Sequence, residues 1–218
     1  MRDVILHDTY TMPDGSEREH VYTVDGVVKP GISDILAAAG FGQPWLGKYK
    51  RASTFGVALH AAIKYDLEGV LGEIDQAPQF QAAFQAYKQL RRDYEPKPIY
   101  SDRVGGMYID RPLYDATDGI CGTPDLFCVL NHTYVIIDWK SGVYDDIVVP
   151  LKMYAYERIV RKIEKIPDNV AVKKKVVQLY DETPAKGKPY KIIPINDQLA
   201  ETVWRSCMNI YRWKNRRT

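Results

Sequence analysis

Gly122-Thr123-Pro124-Asp125-Leu126-Phe127-Cys128-Val129-Leu130-Asn131-His132-Thr133-Tyr134-Val135-Ile136-Ile137-Asp138-Trp139-Lys140 is the stretch around which the rest of the chain is arranged. After Asp125 the run to Leu130 is apolar, and Thr133 to Ile137 is β-branched and aromatic, which predicts two strands. Asn131-His132 lies between them, and Asn tolerates the positive φ of a tight hairpin turn. If those two residues are the turn, Leu130 pairs with Thr133, and counting outward sets Asp125 opposite Asp138. Opposed residues share a face, with Cβ atoms about 4.5–5.5 Å apart. Lys140, two residues beyond Asp138, points the same way. Two carboxylates and an ammonium thus converge at the open end of one hairpin. Opposed like charges destabilise a strand pair, and a divalent cation held through hard oxygen ligands resolves the conflict.

The 218 residues suit one domain with a substantial core. The chain is 45% hydrophobic and 27% charged, the balance of a globular protein. A net charge of +2 excludes a global polycation, so any nucleic-acid surface is local. Cys121, Cys128 and Cys207 show no metal-binding CxxC spacing and are too few for a four-cysteine cluster. Cys121 and Cys128 read as reduced packing residues, which suits a cytoplasmic protein. No secretion leader and no run of bilayer length is seen, so no membrane partner is expected.

Along the chain, Val4–Tyr10 and Glu19–Val24 read as strands joined at Pro13-Asp14-Gly15. A helix follows Ser33, a plausible N-cap, and ends at Gly40. Helices are expected over Trp45–Ala52 and Thr54–Glu68. Gly56 and His60 are four apart on the second, so they share a face, where a small residue lets another backbone approach. A lone helical His is more often structural than functional. Pro78 opens a helix to about Tyr94, with Phe80, Phe84, Tyr87 and Leu90 as its buried stripe. Ile99–Val104 and Met107–Tyr114 suit strands around Gly105-Gly106, and Asp115, Asp118 and Gly119 a surface loop. A helix led by Asp145-Asp146 runs to about Lys162. Val172–Tyr180 and Tyr190–Ile195 form a hairpin, and a last helix runs from about Gln198 to Trp213. Lys173-Lys174-Lys175 and Arg212–Arg217 read as solvated charge, or as a rim that contacts phosphate.

Pro124-Asp125 followed by Asp138-Trp139-Lys140 on the next strand resembles the PD-(D/E)xK nuclease superfamily. The order Gly56-x-x-x-His60, Gly122-x-x-Asp125, Asp138-x-Lys140 and then a Tyr-bearing helix is similar to its RecB-type, phage-exonuclease-like branch. The preceding Ser33-Asp34-Ile35-Leu36, Trp45 and Ala52 fall in that branch's order as well. The resemblance implies an α/β (α+β) fold: a restriction-endonuclease-like core with a central mixed β-sheet flanked by helices. It divides the single domain into an N-terminal β-hairpin (1–30), a nuclease core (31–165) and a C-terminal hairpin and helix (166–218). It implies one or two Mg²⁺ or Mn²⁺ ions held by His60, Asp125, Asp138 and the Trp139 backbone carbonyl. Asp125, Asp138 and Lys140 would be catalytic, and Ser141, Lys152 and Tyr154 would bind or position DNA. Asp110 reads equally as an extra acid of the site or as an exposed strand carboxylate. Two departures stand out. Phe55 occupies a position that often holds Arg, and the helical Q-x-x-x-Y lacks its Gln, whether matched as Pro150 with Tyr154 or as Lys152 with Tyr156.

The activity so implied is metal-dependent hydrolysis of DNA phosphodiesters. The resemblance favours an exonuclease of phage-type recombination, replication or repair. Its substrate would be linear duplex or single-stranded DNA in a bacterial host's cytoplasm, and a recombination or single-strand-binding protein its partner. Lys140 would take a proton from the attacking water or position it. Two other readings remain: a non-catalytic DNA- or protein-binding module that keeps the fold, and a purely structural hairpin with solvated acids.

Overall fold

The computed structural model describes residues 2–41, 50–70, 78–142, 145–180 and 187–216. The chain opens with an antiparallel meander, β1 (Val4–Thr11), β2 (Glu17–Val24) and β3 (Val27–Lys29). The turn at Pro13-Asp14-Gly15 forms as the sequence implies. Asp14 Oδ1 accepts from the Ser16 amide at 3.0 Å, and Gly15 takes φ +83°. Helix α1 (Ile32–Ala38) buries Ile32, Ile35 and Leu36. Its N-cap is Gly31, not the expected Ser33, because the Asp34 carboxylate folds back to accept the Gly31 amide at 2.8 Å. Gly40 follows the C-cap at φ +90°, the left-handed stop that favours glycine.

Next come α2 (Lys50–Glu68) and α3 (Pro78–Tyr94). The expected helix over Trp45–Ala52 lies mostly outside the described residues, and α2 runs without a break from Lys50. The stripe Phe80, Phe84, Tyr87 and Leu90 is buried, as its spacing predicts. Phe55, the departure from the arginine pattern, packs on Phe80 with ring centroids 5.8 Å apart.

The predicted long strands over 99–114 are replaced by short ones: β4 (Lys97–Pro98), β5 (Tyr100–Ser101), β6 (Gly106–Met107) and β7 (Leu113–Asp115), followed by β8 (Ile120–Gly122). Left-handed residues at Gly105 (φ +69°) and Asp110 (φ +44°) interrupt the extended run. Asp115 is buried, contrary to the surface-loop expectation, and is ion-paired to Lys162 at 2.5 Å.

The hairpin follows as β9 (Leu126–Leu130) and β10 (Thr133–Lys140), then α4 (Val148–Glu164), β11 (Val172–Leu179), β12 (Tyr190–Pro194) and α5 (Ala200–Lys214). Asn131 (φ +47°) and His132 (φ +58°) are both left-handed, as a two-residue type I′ turn requires. The register is the one counted from the sequence, from Thr133↔Leu130 out to Ile137↔Leu126.

The main sheet has the order β12-β11-β10-β9-β4. Only β10 and β11 are parallel, and α4 makes the crossover that parallel neighbours need. Pro98 sits on the edge strand, where a missing amide donor is tolerated. Alternate residues of the strands point to opposite faces. Phe127, Ile136, Val172 and Val176 pack with α1, α4 and α5. Leu126, Cys128, Val135, Ile137 and Trp139 pack with α2 and α3. The result is a mixed α/β fold of three layers, with helices on both faces of a mixed central sheet. Through β11 and β12 the C-terminal hairpin is part of that sheet. All three cysteines are free and buried. Among the described residues no helix is long and apolar enough to cross a membrane.

On the α2–α3 side, the buried Asp66 carboxylate ties the two helices together. It accepts from Tyr87 and Lys88, each at 2.7 Å, and from Arg91. Burial alone would raise its pKa, but these donors outweigh it and hold the carboxyl below the ordinary range. A folded-state pKa lowered in this way stabilises the fold above the unfolded-state pKa, and the benefit is lost as pH falls through the folded value. Asp66→Asn should therefore cost about 2–3 kcal/mol at neutral pH, below the usual cost of breaking a buried pair because both cations remain partly hydrated. Thermal melts at pH 7 and at acid pH test this: the gap between wild type and variant narrows in acid.

Candidate metal centre

The site is built at the mouth of the β9–β10 hairpin. Asp125 directly precedes β9, and continuing the register sets it opposite Asp138. Its Oδ2 accepts the Trp139 amide at 2.7 Å, which extends the ladder by a side-chain bond and turns the carboxylate toward β10. Asp138 is 6% exposed, on the α4 side of the sheet with Ile136. Lys140 Nζ lies 2.6 Å from Asp138 Oδ2, outside hydrogen-bond alignment. That buried oxygen thus has Lys140 as its counter-charge.

Two further groups come from distant parts of the chain. Ile109 bridges Leu126, and the Asp110 amide donates to the Asp125 carbonyl at 3.0 Å, so the edge segment delivers Asp110 to the hairpin mouth. His60 projects from α2. Its Nε2 lies 3.0 Å from the Trp139 carbonyl, which can only accept, so Nε2 carries the proton. In the neutral ring this leaves the Nδ1 lone pair facing Asp125 Oδ1, at 3.6 Å. One turn earlier on the same face is Gly56. A Cβ there would meet only the Ser141 Oγ, at an ordinary 3.8 Å, so its neighbour is a side chain rather than the approaching backbone the sequence implies.

Ligand atoms of His60, Asp110 and Asp125 all lie within 4.8 Å of one another. Around an octahedral Mg²⁺ or Mn²⁺, with ligands at about 2.1 Å, adjacent ligands are about 3 Å apart and opposite ones about 4.2 Å. The spacing fits such an ion after small adjustments. Of the two alternatives for Asp110, the structure places it with the acids rather than out on an exposed strand. Asp138 is not in the three-residue group but stands beside it, engaged by Lys140. The Trp139 carbonyl is held by His60 and keeps a second lone pair.

The electrostatics report a shortage of positive charge. Burial, then the Asp125 carboxylate, pushes Asp110 up to about 7. The same two causes in the same order raise Asp138. Burial pulls the Lys140 ammonium down, but Asp138 and Asp125 outweigh it and its pKa ends raised. Carboxylates raised by burial and by one another gain most from a nearby positive charge.

Helix α4 closes the site from the sheet side. Lys152 and Tyr156, one turn apart, both feel the charges of Asp125 and Asp138. Burial and then Lys140 lower the Lys152 ammonium, and burial keeps the Tyr156 hydroxyl protonated. Tyr154 faces α5 instead, in a cleft with Trp204 and Arg205. Two residues along a helix is about half a turn, so Tyr154 cannot join its neighbours at the acids. Of the two alignments open in the sequence, Lys152 with Tyr156 is the one on the acid side. Gly122 makes this closure fit. A Cβ on it would come 2.6 Å from Ile32 Cδ1 and 3.0 Å from Tyr156 Cε1.

On the Asp110 side a groove of about 860 Å³ opens, bounded by Lys64, Met107, Arg111 and Tyr114. Lys64 acts on the Asp110 charge. It was not singled out in the sequence, although it stands four residues after His60 on the same helix face. Compared with protein-family models and with curated proteins, the chain matches none.

If His60, Asp110 and Asp125 are the ligand set, Asp125→Asn and His60→Ala should each weaken Mn²⁺ binding at least about tenfold. Titration calorimetry measures this, and wild-type affinity in both variants would remove the pair from the centre.

Proposed function

We propose that this chain is a Mg²⁺- or Mn²⁺-dependent DNA nuclease with a restriction-endonuclease-like core, of the RecB-type, phage-exonuclease-like branch. The observation that carries the reading is the convergence of His60, Asp110 and Asp125, each from a different part of the chain, within 4.8 Å beside the Asp138–Lys140 pair. A solvated acid cluster or a structural hairpin does not call for an imidazole and two cationic side chains beside three acids at one point.

His60, Asp110 and Asp125 would hold the cation, with Asp138 and the Trp139 carbonyl available beside them. When bound, the ion supplies charge neutralisation on the phosphoryl oxygens and acidifies water. His60 is oriented for ligation by its Nε2–H bond to Trp139, the kind of outer contact that fixes a ligand tautomer. Asp125 is fixed by the Trp139 amide. Lys140, on the strand face of Asp138, presents ammonium donors that orient the attacking water against the scissile phosphate. Lys152 adds a second cation on the α4 side to meet the substrate's charge. The groove beyond Asp110 gives a strand a path into the site. DNA is the substrate, and exonucleolytic attack in phage-type recombination, replication or repair follows from the family resemblance. The free, buried cysteines suit a reducing cytoplasm.

The test is nucleotide release from end-labelled linear DNA against nicking of circular DNA, with Mn²⁺, Mg²⁺ or chelator. Metal-dependent release from linear DNA with circles left intact is expected. No cleavage of either substrate in Mn²⁺ would sink the reading. Lys140→Ala should lower turnover by about 10²–10⁴-fold, while DNA binding, read by anisotropy, persists.

A further inference from the structure

We propose that the cleft between α4 and α5 is a second phosphate-binding site, which holds a phosphodiester of a nucleic-acid strand apart from the acid cluster. The cleft has a volume of about 330 Å³, within the range of small-ligand sites. Helix spacing alone assembles its walls. On α4, Tyr154 and Arg158 are one turn apart, and on α5 Arg205, Asn209 and Arg212 recur at steps of four and three. The two stripes face each other over a floor of buried Trp204 and Met208. Three guanidiniums, a phenol and an amide line one cavity with a single carboxylate, Asp118, a balance that favours an anion. Guanidinium forks match phosphate oxygens two at a time, which ammonium groups do not.

Two of the three guanidiniums meet a carboxylate at the exposed edge of the cleft, and the third does not. Among the described residues, Arg158 has no ion-pair partner. Arg205 meets Glu201 at 2.5 Å, but both are well exposed (68% and 49%) and four apart on a helix, a pairing of little strength. Asp118, on the rim, is already satisfied by Lys162 at 2.6 Å and by Arg212 at 3.1 Å.

A second observation selects a nucleic-acid strand as the carrier of the phosphate. Trp213, four residues beyond Asn209, is 64% exposed, and the Arg216 guanidinium lies 4.4 Å over its ring. An exposed indole beside a basic cleft is a stacking platform for a base. Arg212 and Arg216, from a basic cluster ambiguous in the sequence, thus become the outer edge of this site. The anion preference follows from the cleft's own donors. Only the choice of DNA over RNA rests on the nuclease reading.

The test uses the full chain in chelator, so that cleavage plays no part. Anisotropy with a labelled single-stranded DNA is compared between wild type and Arg158→Ala/Arg205→Ala, with Arg205→Glu as a single change at an exposed position. Affinity should fall about tenfold in each, and the slope of log affinity against log salt should drop by about one. Unchanged affinity and slope in both overturns the proposal. Inorganic phosphate is the competing arm: if it displaces DNA from wild type at micromolar concentration, the cleft is a free-phosphate site and the strand assignment is wrong. Because binding is read without metal, loss of this site and loss of nuclease activity are separate results.

Discussion

The hydrogen bond from the Trp139 amide to Asp125 Oδ2 is the contact on which the geometry of the acid cluster depends. It continues the β9–β10 ladder past the last backbone pair and turns a carboxylate inward at the point where the strands part. The Trp139 carbonyl, on the other side of the same residue, receives His60. One residue of β10 thereby fixes an acid through its amide and an imidazole through its oxygen. The Trp139 side chain is meanwhile buried on the opposite face, its ring edge-on to Tyr87. The backbone at the site is thus anchored by the α2–α3 core, while the acids belong to the α4 side.

That division explains why the polar cluster is tolerated. Two raised carboxylates and a half-buried ammonium are costly in a small domain, and here they sit at a sheet end between two separate apolar clusters. Neither cluster has to incorporate the charges. Helix α4 must reach over the sheet end to do its part, and it does so because Gly122 leaves room for Ile32 and Tyr156. The close approach, rather than any backbone twist, accounts for glycine three residues ahead of Asp125.

The hairpin was legible because its information is local. A two-residue turn fixes register, register fixes facing, and Asp125, Asp138 and Lys140 follow by counting. The stripe of α3 was legible for the same reason. Asp110 was only half legible, as an extra acid or an exposed strand carboxylate, because a left-handed residue and an isolated bridge bring it in, and neither leaves a periodic trace. Whether Tyr154 or Tyr156 faces the acids was not legible, because an absent Gln left two helical registers open. Only the packing of α4 between Gly122 and α5 chooses between them. Asp115 looked like loop polarity, and its burial depends on Lys162, nearly fifty positions away in the chain. Gly31 replaced Ser33 as the cap because Asp34 supplied the bond that a serine hydroxyl would have made.

The tight turn at Asn131-His132 has a consequence for how the centre comes into being. Contacts across two residues close early and at small entropic cost, whereas the parallel pairing of β10 with β11 must wait for α4 to cross. Asp125 and Asp138 are therefore neighbours long before Asp110, His60 and Lys152 arrive. Their mutual repulsion opposes the first strand pairing. Lys140, on the same strand, is at hand to offset it, but the further ligands Asp110 and His60 come only with the finished tertiary structure, so a cation added during refolding would act mainly on the late, compact species.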